Sequence, residues 1–103
     1  MVRVVFAEDN YLVREGTAAL LQNSSEVELV GMAASLDELL EKVEELKPEV
    51  VLTDIRMPPT NTTEGIDAAK RIRAEHPEIG VVVLSQYAEE EYAYDLLKDG
   101  AAG

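Results

Sequence analysis

The run Val50-Val51-Leu52-Thr53-Asp54 constrains the fold of this chain more than any other stretch. Its first four residues favour a β-strand, and Pro48 before it and Pro58-Pro59 after it set its limits. A short apolar run between such breakers is typical of a strand buried on both faces of a parallel sheet. An ionised carboxylate at the end of such a strand is costly without partners. Since ligands bind at the carboxyl ends of parallel strands, the run predicts a reactive group at Asp54.

The rest of the chain alternates between strand and helix patterns. Further strands are predicted at 3–7, 27–33 and 81–84. Helices are predicted at 11–22, between Ser35 and Pro48, between the 56–64 loop and His76-Pro77, and from Glu89 to a stop at Gly100, just beyond the helix. This alternation predicts right-handed crossovers and a parallel sheet with helices on both faces. The last residues, 101–103, resemble the approach to a fifth strand. We therefore expect the sequence to be a piece of a longer protein.

Composition narrows the class of function. The 103 residues suit one domain, and a net charge of −12 disfavours contact with nucleic acid phosphates. The chain has no cysteine, which excludes disulfides and thiol chemistry. No apolar stretch is long enough for a membrane span, and the N-terminus lacks the pattern of a signal peptide. These features predict a cytoplasmic protein.

Polar side chains end three of the predicted strands: Glu8 and Asp9, Asp54, and Ser85. If the first and third strands are neighbours, three carboxylates converge, and like charges at close range resist joint ionisation unless a cation is present. Oxygen ligands without nearby His or Cys favour Mg²⁺, which commonly accompanies phosphate. The pattern predicts metal-assisted phosphoryl transfer, with Asp54 forming an aspartyl phosphate and the Ser85 hydroxyl bonding a phosphoryl oxygen.

Three motifs resemble the receiver domain of bacterial two-component response regulators. They are Phe6-Ala7-Glu8-Asp9-Asn10, Leu52-Thr53-Asp54-Ile55-Arg56-Met57-Pro58 and Val83-Leu84-Ser85, and the resemblance covers the whole chain. It implies that Asp54 is the phosphoacceptor, that Glu8 and Asp9 belong to the Mg²⁺ site, and that the backbone carbonyl of Arg56 is a further ligand. Ser85 would be the switch hydroxyl.

The same resemblance implies a flavodoxin-like (CheY-like) doubly wound α/β fold with strand order 2-1-3-4-5, here truncated near the start of the fifth strand. Residues 1–103 would form the receiver domain, and a DNA-binding output domain of the LuxR helix-turn-helix type would lie beyond residue 103. A sensor histidine kinase would supply the phosphoryl group, and a second copy of the domain is a further candidate partner. DNA would be contacted only through the output domain.

One family residue has no match. The family carries a lysine at the end of the fifth strand that pairs with the phosphoryl group, whereas Lys98 of this chain lies within the predicted fourth helix. The aromatic switch partner is also unmatched. We therefore expect weakened phosphorylation-dependent switching in the chain as it stands.

Three other functions remain open at this stage. A phosphatase of the haloacid-dehalogenase type would need a second Asp two residues after Asp54, where this chain has Arg56. A flavin or nucleotide site would need a glycine-rich or hydroxyl-rich loop after the first strand, where Glu8 and Asp9 would repel phosphate. A phosphate-independent interaction module of the same fold is the third alternative. The single histidine, His76, is expected to be structural and without an acid-base partner.

Overall fold

The computed structural model describes residues 1–84, which form four strands and three helices in alternation. The predicted fourth helix lies outside these residues. In chain order the elements are β1 (Val2–Ala7), α1 (Tyr11–Gln22), β2 (Val27–Ala33), α2 (Leu36–Leu46), β3 (Val50–Asp54), α3 (Glu64–Glu75) and β4 (Gly80–Leu84).

The four strands form one sheet in the order β2-β1-β3-β4, and every neighbouring pair is parallel. This confirms the predicted doubly wound architecture for the strands that the structure describes. β1 and β3, far apart in the sequence, are neighbours, with Val4 opposite Val50 and Ala7 opposite Thr53. The residues that follow β1 and those that end β3 therefore emerge together at one edge of the sheet.

The main core lies between the sheet and the pair α2 and α3. Strand residues such as Val5, Val51 and Val81 pack there against Leu39 and Ile72 of the two helices. Because side chains alternate along a strand, the residues between them face the opposite side, which α1 covers. Burial on both faces explains the continuous apolar runs Val4–Ala7 in β1 and Val50–Leu52 in β3.

Local sequence signals set the helix ends. The Asn10 side chain accepts a hydrogen bond from the Val13 amide at 3.1 Å, as expected of the cap of α1. Ser35 caps α2 in the same way, accepting from the Glu38 amide at 3.2 Å. α2 ends at Leu46, and Lys47, the residue before Pro48, follows in the left-handed conformation (φ 47°).

The start of α3 differs from the sequence prediction. Glu64, expected to close the preceding loop, is instead the first residue of the helix.

None of the three described helices has both the length and the apolar character that a bilayer crossing requires.

Gly65 allows α3 to approach the end of β3 closely. A Cβ atom at this position would lie 1.8 Å from the backbone oxygen of Asp54, and the Gly65 amide donates to the Ile55 carbonyl at 2.7 Å. Any side chain at Gly65 would therefore displace the segment that carries Asp54.

We predict that Gly65→Ala lowers the free energy of unfolding by about 1–3 kcal/mol, as overpacking against backbone generally does. Gly16→Ala is the matched control: a Cβ there meets nothing within 4 Å, and the change should stabilise α1 by up to about 1 kcal/mol. Urea denaturation of both variants checks this. Equal effects of the two changes would contradict the close-approach explanation.

Candidate functional site

Three carboxylates meet at the carboxyl edge of the sheet. Each of Glu8, Asp9 and Asp54 offers one oxygen, and these oxygens lie within 4.8 Å of one another. Glu8 and Asp9 directly follow β1, Asp54 ends β3, and the parallel register of the two strands places their ends side by side. The structure thus brings together the three acidic residues that the sequence singled out.

Glu8 is the most buried of the three, with 4% of its surface exposed. Burial raises its pKa to about 7 from an ordinary value of 4.5, and the neighbouring charge of Asp54 acts in the same direction. A hydrogen bond of 3.1 Å from the Asn10 amide to Glu8 Oε1 opposes the shift. A cation at this edge would favour the ionised form of Glu8, so the donor set is electrostatically suited to a divalent ion.

Asp54 is half-buried and held by its own strand end. The Ile55 amide donates to Asp54 Oδ1 at 2.8 Å, which holds the carboxylate in place at the carboxyl end of β3. Thr53, fully buried, donates through its hydroxyl to the Asp54 backbone oxygen at 3.0 Å. The backbone thus orients Oδ1 of Asp54, whereas Oδ2 does not take part in the hydrogen bond with the Ile55 amide.

Two predicted site residues stay predictions. Arg56 is exposed in the segment after β3, two residues beyond Asp54. The cluster of Glu8, Asp9 and Asp54 is defined by side-chain oxygens, so it does not test the predicted role of the Arg56 backbone carbonyl. Ser85 lies outside the described residues.

The loop between β3 and α3 contains an arrangement that the sequence analysis missed. Glu64 is 3% exposed, yet its carboxylate accepts hydrogen bonds from the Thr60 amide (2.7 Å), the Thr60 hydroxyl and the Thr62 amide (3.0 Å). From the same loop, Asn61 Nδ2 donates to Asp9 Oδ2 at 3.2 Å. The sequence signal that could have identified this arrangement is a glutamate at the start of an amphipathic helix, four residues after a threonine.

A second group of potential ligands lies at the carboxyl ends of α2 and α3. Glu44, Glu75 and His76 each offer one atom within 4.8 Å of the others. His76 Nε2 lies 2.7 Å from Glu44 Oε1, so the expectation that this histidine lacks an acidic partner is wrong. Both carboxylates also pair with basic side chains, Glu44 with Lys47 and Glu75 with Arg71, so charge pairing within the protein accounts for the group.

The hydrogen bonds of Glu64 make stability depend on pH. The Thr60 hydroxyl first, and then the backbone amides of the loop, lower the pKa of Glu64 from 4.5 to about 2. The unfolded state therefore takes up this proton at a higher pH than the folded state. The stabilisation is complete above about pH 4.5 and is lost as the pH falls towards 2.

We predict that the difference in free energy of unfolding between the wild type and Glu64→Gln narrows as the pH falls from about 6 to about 3. Thr60→Val, which removes the hydroxyl donor and keeps the acid, should weaken the pH dependence. Urea denaturation across this pH range measures both effects. A wild-type advantage that is constant with pH would contradict the assignment.

Comparisons with known proteins agree with this geometry. The family model described as the response regulator receiver domain matches residues 4–103. The transcriptional regulatory protein LnrK of Bacillus subtilis is 35% identical over all 103 residues, which correspond to 46% of its own length. The response regulator GacA of Pseudomonas viridiflava is 39% identical over the same span and 47% of its length. The chain therefore spans about half the length of these curated relatives.

Solved structures give the same result for the fold. The signal receiver domain of NarL from Mycobacterium tuberculosis superposes with a TM-score of 0.88 at 35% identity, covering 99% of this chain and 80% of that one. The response regulator domain of Thermotoga maritima CheB gives a TM-score of 0.86 at 31% identity, covering 99% and 75%. With the family model matched over nearly the whole sequence, the chain belongs to the response regulator receiver domain family.

Proposed function

We propose that this chain accepts a phosphoryl group on Asp54 from a phosphohistidine of a sensor histidine kinase and passes the signal on through a change of shape. The convergence of Glu8, Asp9 and Asp54 at one sheet edge carries this proposal. The curated relatives are named as regulators and are about twice as long as this chain. In the full protein we expect residues 1–103 to control a DNA-binding output domain beyond residue 103.

The acidic cluster supports Mg²⁺ as the cofactor. Glu8, Asp9 and Asp54 would hold the ion together with the backbone carbonyl of Arg56, and all four supply the oxygen ligands that Mg²⁺ prefers. When bound, the ion would offset negative charge on the transferring phosphoryl group. The raised pKa of Glu8, which comes first from burial and then from the charge of Asp54, fits this role, because a bound cation would favour the ionised carboxylate.

Asp54 provides the nucleophile. The Ile55 amide holds Oδ1 at 2.8 Å, and the other carboxylate oxygen forms the new bond to phosphorus. The phosphorus–nitrogen bond to the kinase histidine breaks, and its electron pair stays on that nitrogen. Because the other ring nitrogen of the phosphohistidine carries a proton, the histidine leaves as neutral imidazole. The Ser85 hydroxyl would donate to a phosphoryl oxygen of the product and so register that Asp54 is modified.

A signalling role accounts for the site better than turnover of phosphoesters. Arg56 stands where a phosphatase of the haloacid-dehalogenase type needs its general acid, and a guanidinium cannot protonate a leaving group. We expect the protein to act in the cytoplasm, with the sensor histidine kinase and a second copy of the domain as its partners.

We predict that acetyl phosphate with Mg²⁺ adds the mass of one phosphoryl group to the wild-type chain and adds none to Asp54→Asn. Asp37→Asn, an exposed aspartate in the first turn of α2, is the matched control and should be modified like the wild type. Intact-mass spectrometry reads all three. A mass gain that survives Asp54→Asn would place the phosphate elsewhere, and steady phosphate release from small phosphoesters would favour the phosphatase.

We also predict that Asp54→Asn raises the free energy of unfolding in EDTA by roughly 1–3 kcal/mol, because it removes like-charge repulsion. Added Mg²⁺ should stabilise the wild type more than the variant and close this gap. Thermal and urea unfolding with and without Mg²⁺ test this, and Asp37→Asn should show no such gain. Destabilisation by Asp54→Asn in EDTA would mean that the carboxylates do not repel one another.

A further inference from the structure

The loop between β3 and α3 is organised around a buried anion. Glu64 receives three hydrogen bonds from Thr60 and Thr62, and it lies beneath the loop with only 3% of its surface exposed. The two threonine hydroxyls are also bonded to each other at 2.7 Å. A carboxylate buried in this way is favourable only while its donors stay in place, so Glu64 ties the loop conformation to the start of α3.

Asn61 lies between the two threonines and points to the acidic cluster. Its backbone is in the left-handed region (φ 55°), and its backbone N–H donates to the Met57 carbonyl at 2.9 Å. Asparagine adopts this conformation more readily than most residues. In this position Nδ2 donates to Asp9 Oδ2 at 3.2 Å, across 52 residues of sequence.

We propose that Asn61 is a positioning residue that orients the Asp9 carboxylate for the divalent ion, and that Glu64 acts through Asn61 by holding the loop. The inference rests on the proposed function, because it takes Asp9 as a ligand of the ion. On this proposal, the Mg²⁺ affinity of the chain depends on the conformation of the loop between β3 and α3 as well as on the three carboxylates.

The physical basis is the orientation of a ligand before the ion arrives. A carboxylate has two oxygens, so Asp9 can accept from Asn61 with one and face the ion with the other. Groups that hydrogen-bond to a metal ligand commonly change metal affinity by about 10–100-fold when they are removed. The donor on Asp9 comes from the loop and not from β1, so the orientation of this carboxylate depends on the loop conformation.

The test is a calorimetric titration of Mg²⁺ into the wild-type chain, Asn61→Gly and Asn23→Gly. Glycine tolerates a positive φ, so Asn61→Gly removes the side-chain donor while keeping the loop backbone accessible. We expect about tenfold weaker Mg²⁺ binding for Asn61→Gly and no change for Asn23→Gly, which alters the cap at the other end of α1. Urea unfolding of both variants measures stability separately from affinity.

A double-mutant cycle with Glu64→Gln tests whether Glu64 acts through Asn61. Glu64→Gln should weaken Mg²⁺ binding in the wild-type background and leave it unchanged in the Asn61→Gly background, while lowering stability in both. A purely structural role would give the same loss of affinity in both backgrounds, or none, and would overturn the assignment.

The outcomes separate this inference from the function on which it rests. Wild-type affinity in Asn61→Gly, together with loss of binding in Asp9→Asn, would reject the role of Asn61 and keep the metal site. Absence of Mg²⁺ binding by the wild type, or binding that survives Asp9→Asn, would reject both.

Discussion

Mutual repulsion among Glu8, Asp9 and Asp54 is the constraint on which the rest of this structure depends. Their oxygens lie within 4.8 Å of one another, and at that range two ionised groups near a protein surface oppose each other by a few kcal/mol. The backbone leaves them little freedom to separate, because β1 and β3 are neighbours in register up to Ala7 and Thr53. The fold therefore holds together charges that would separate in an unfolded chain.

Apolar burial in the same two strands offsets that repulsion. Val5, Phe6 and Val51 are each 1% exposed or less, and complete burial of such a side chain contributes about 1.5–3 kcal/mol. This burial holds β1 beside β3 and so keeps the three carboxylates together. The close contact at Gly65 then fixes α3 against the end of β3. The backbone that carries the three carboxylates is thus held by close packing, while their negative charges face one another at the place where a cation would bind.

The sequence predicted those parts of the structure that depend on local signals. Val50–Asp54 lies between prolines and has only strand-favouring residues before its acid, and the structure has a strand over that range. Asn10 and Ser35 carry side chains that favour helix caps, and both cap helices. The meeting of Glu8 with Asp54 needed one further assumption, that β1 and β3 are neighbours, and the sheet order confirms it.

Contacts that depend on tertiary packing were not predictable in this way. Glu64 looked like one more polar loop residue, because burial of its carboxylate depends on the path of the loop above it. The contact between His76 and Glu44 joins residues 32 apart in the sequence, and no local pattern links them. Asn61 has no local signal that marks it as a site residue, and its bond to Asp9 follows only from the path of the loop and the position of the sheet edge together.

The most direct test of the central claim is a crystal structure of the chain grown with Mn²⁺, which takes the same oxygen ligands as Mg²⁺ and gives an anomalous X-ray signal. The account predicts one strong anomalous peak within bonding distance of the carboxylates of Asp9 and Asp54, beside Glu8. A map without a peak at that edge of the sheet, at a Mn²⁺ concentration that saturates binding in solution, would contradict it.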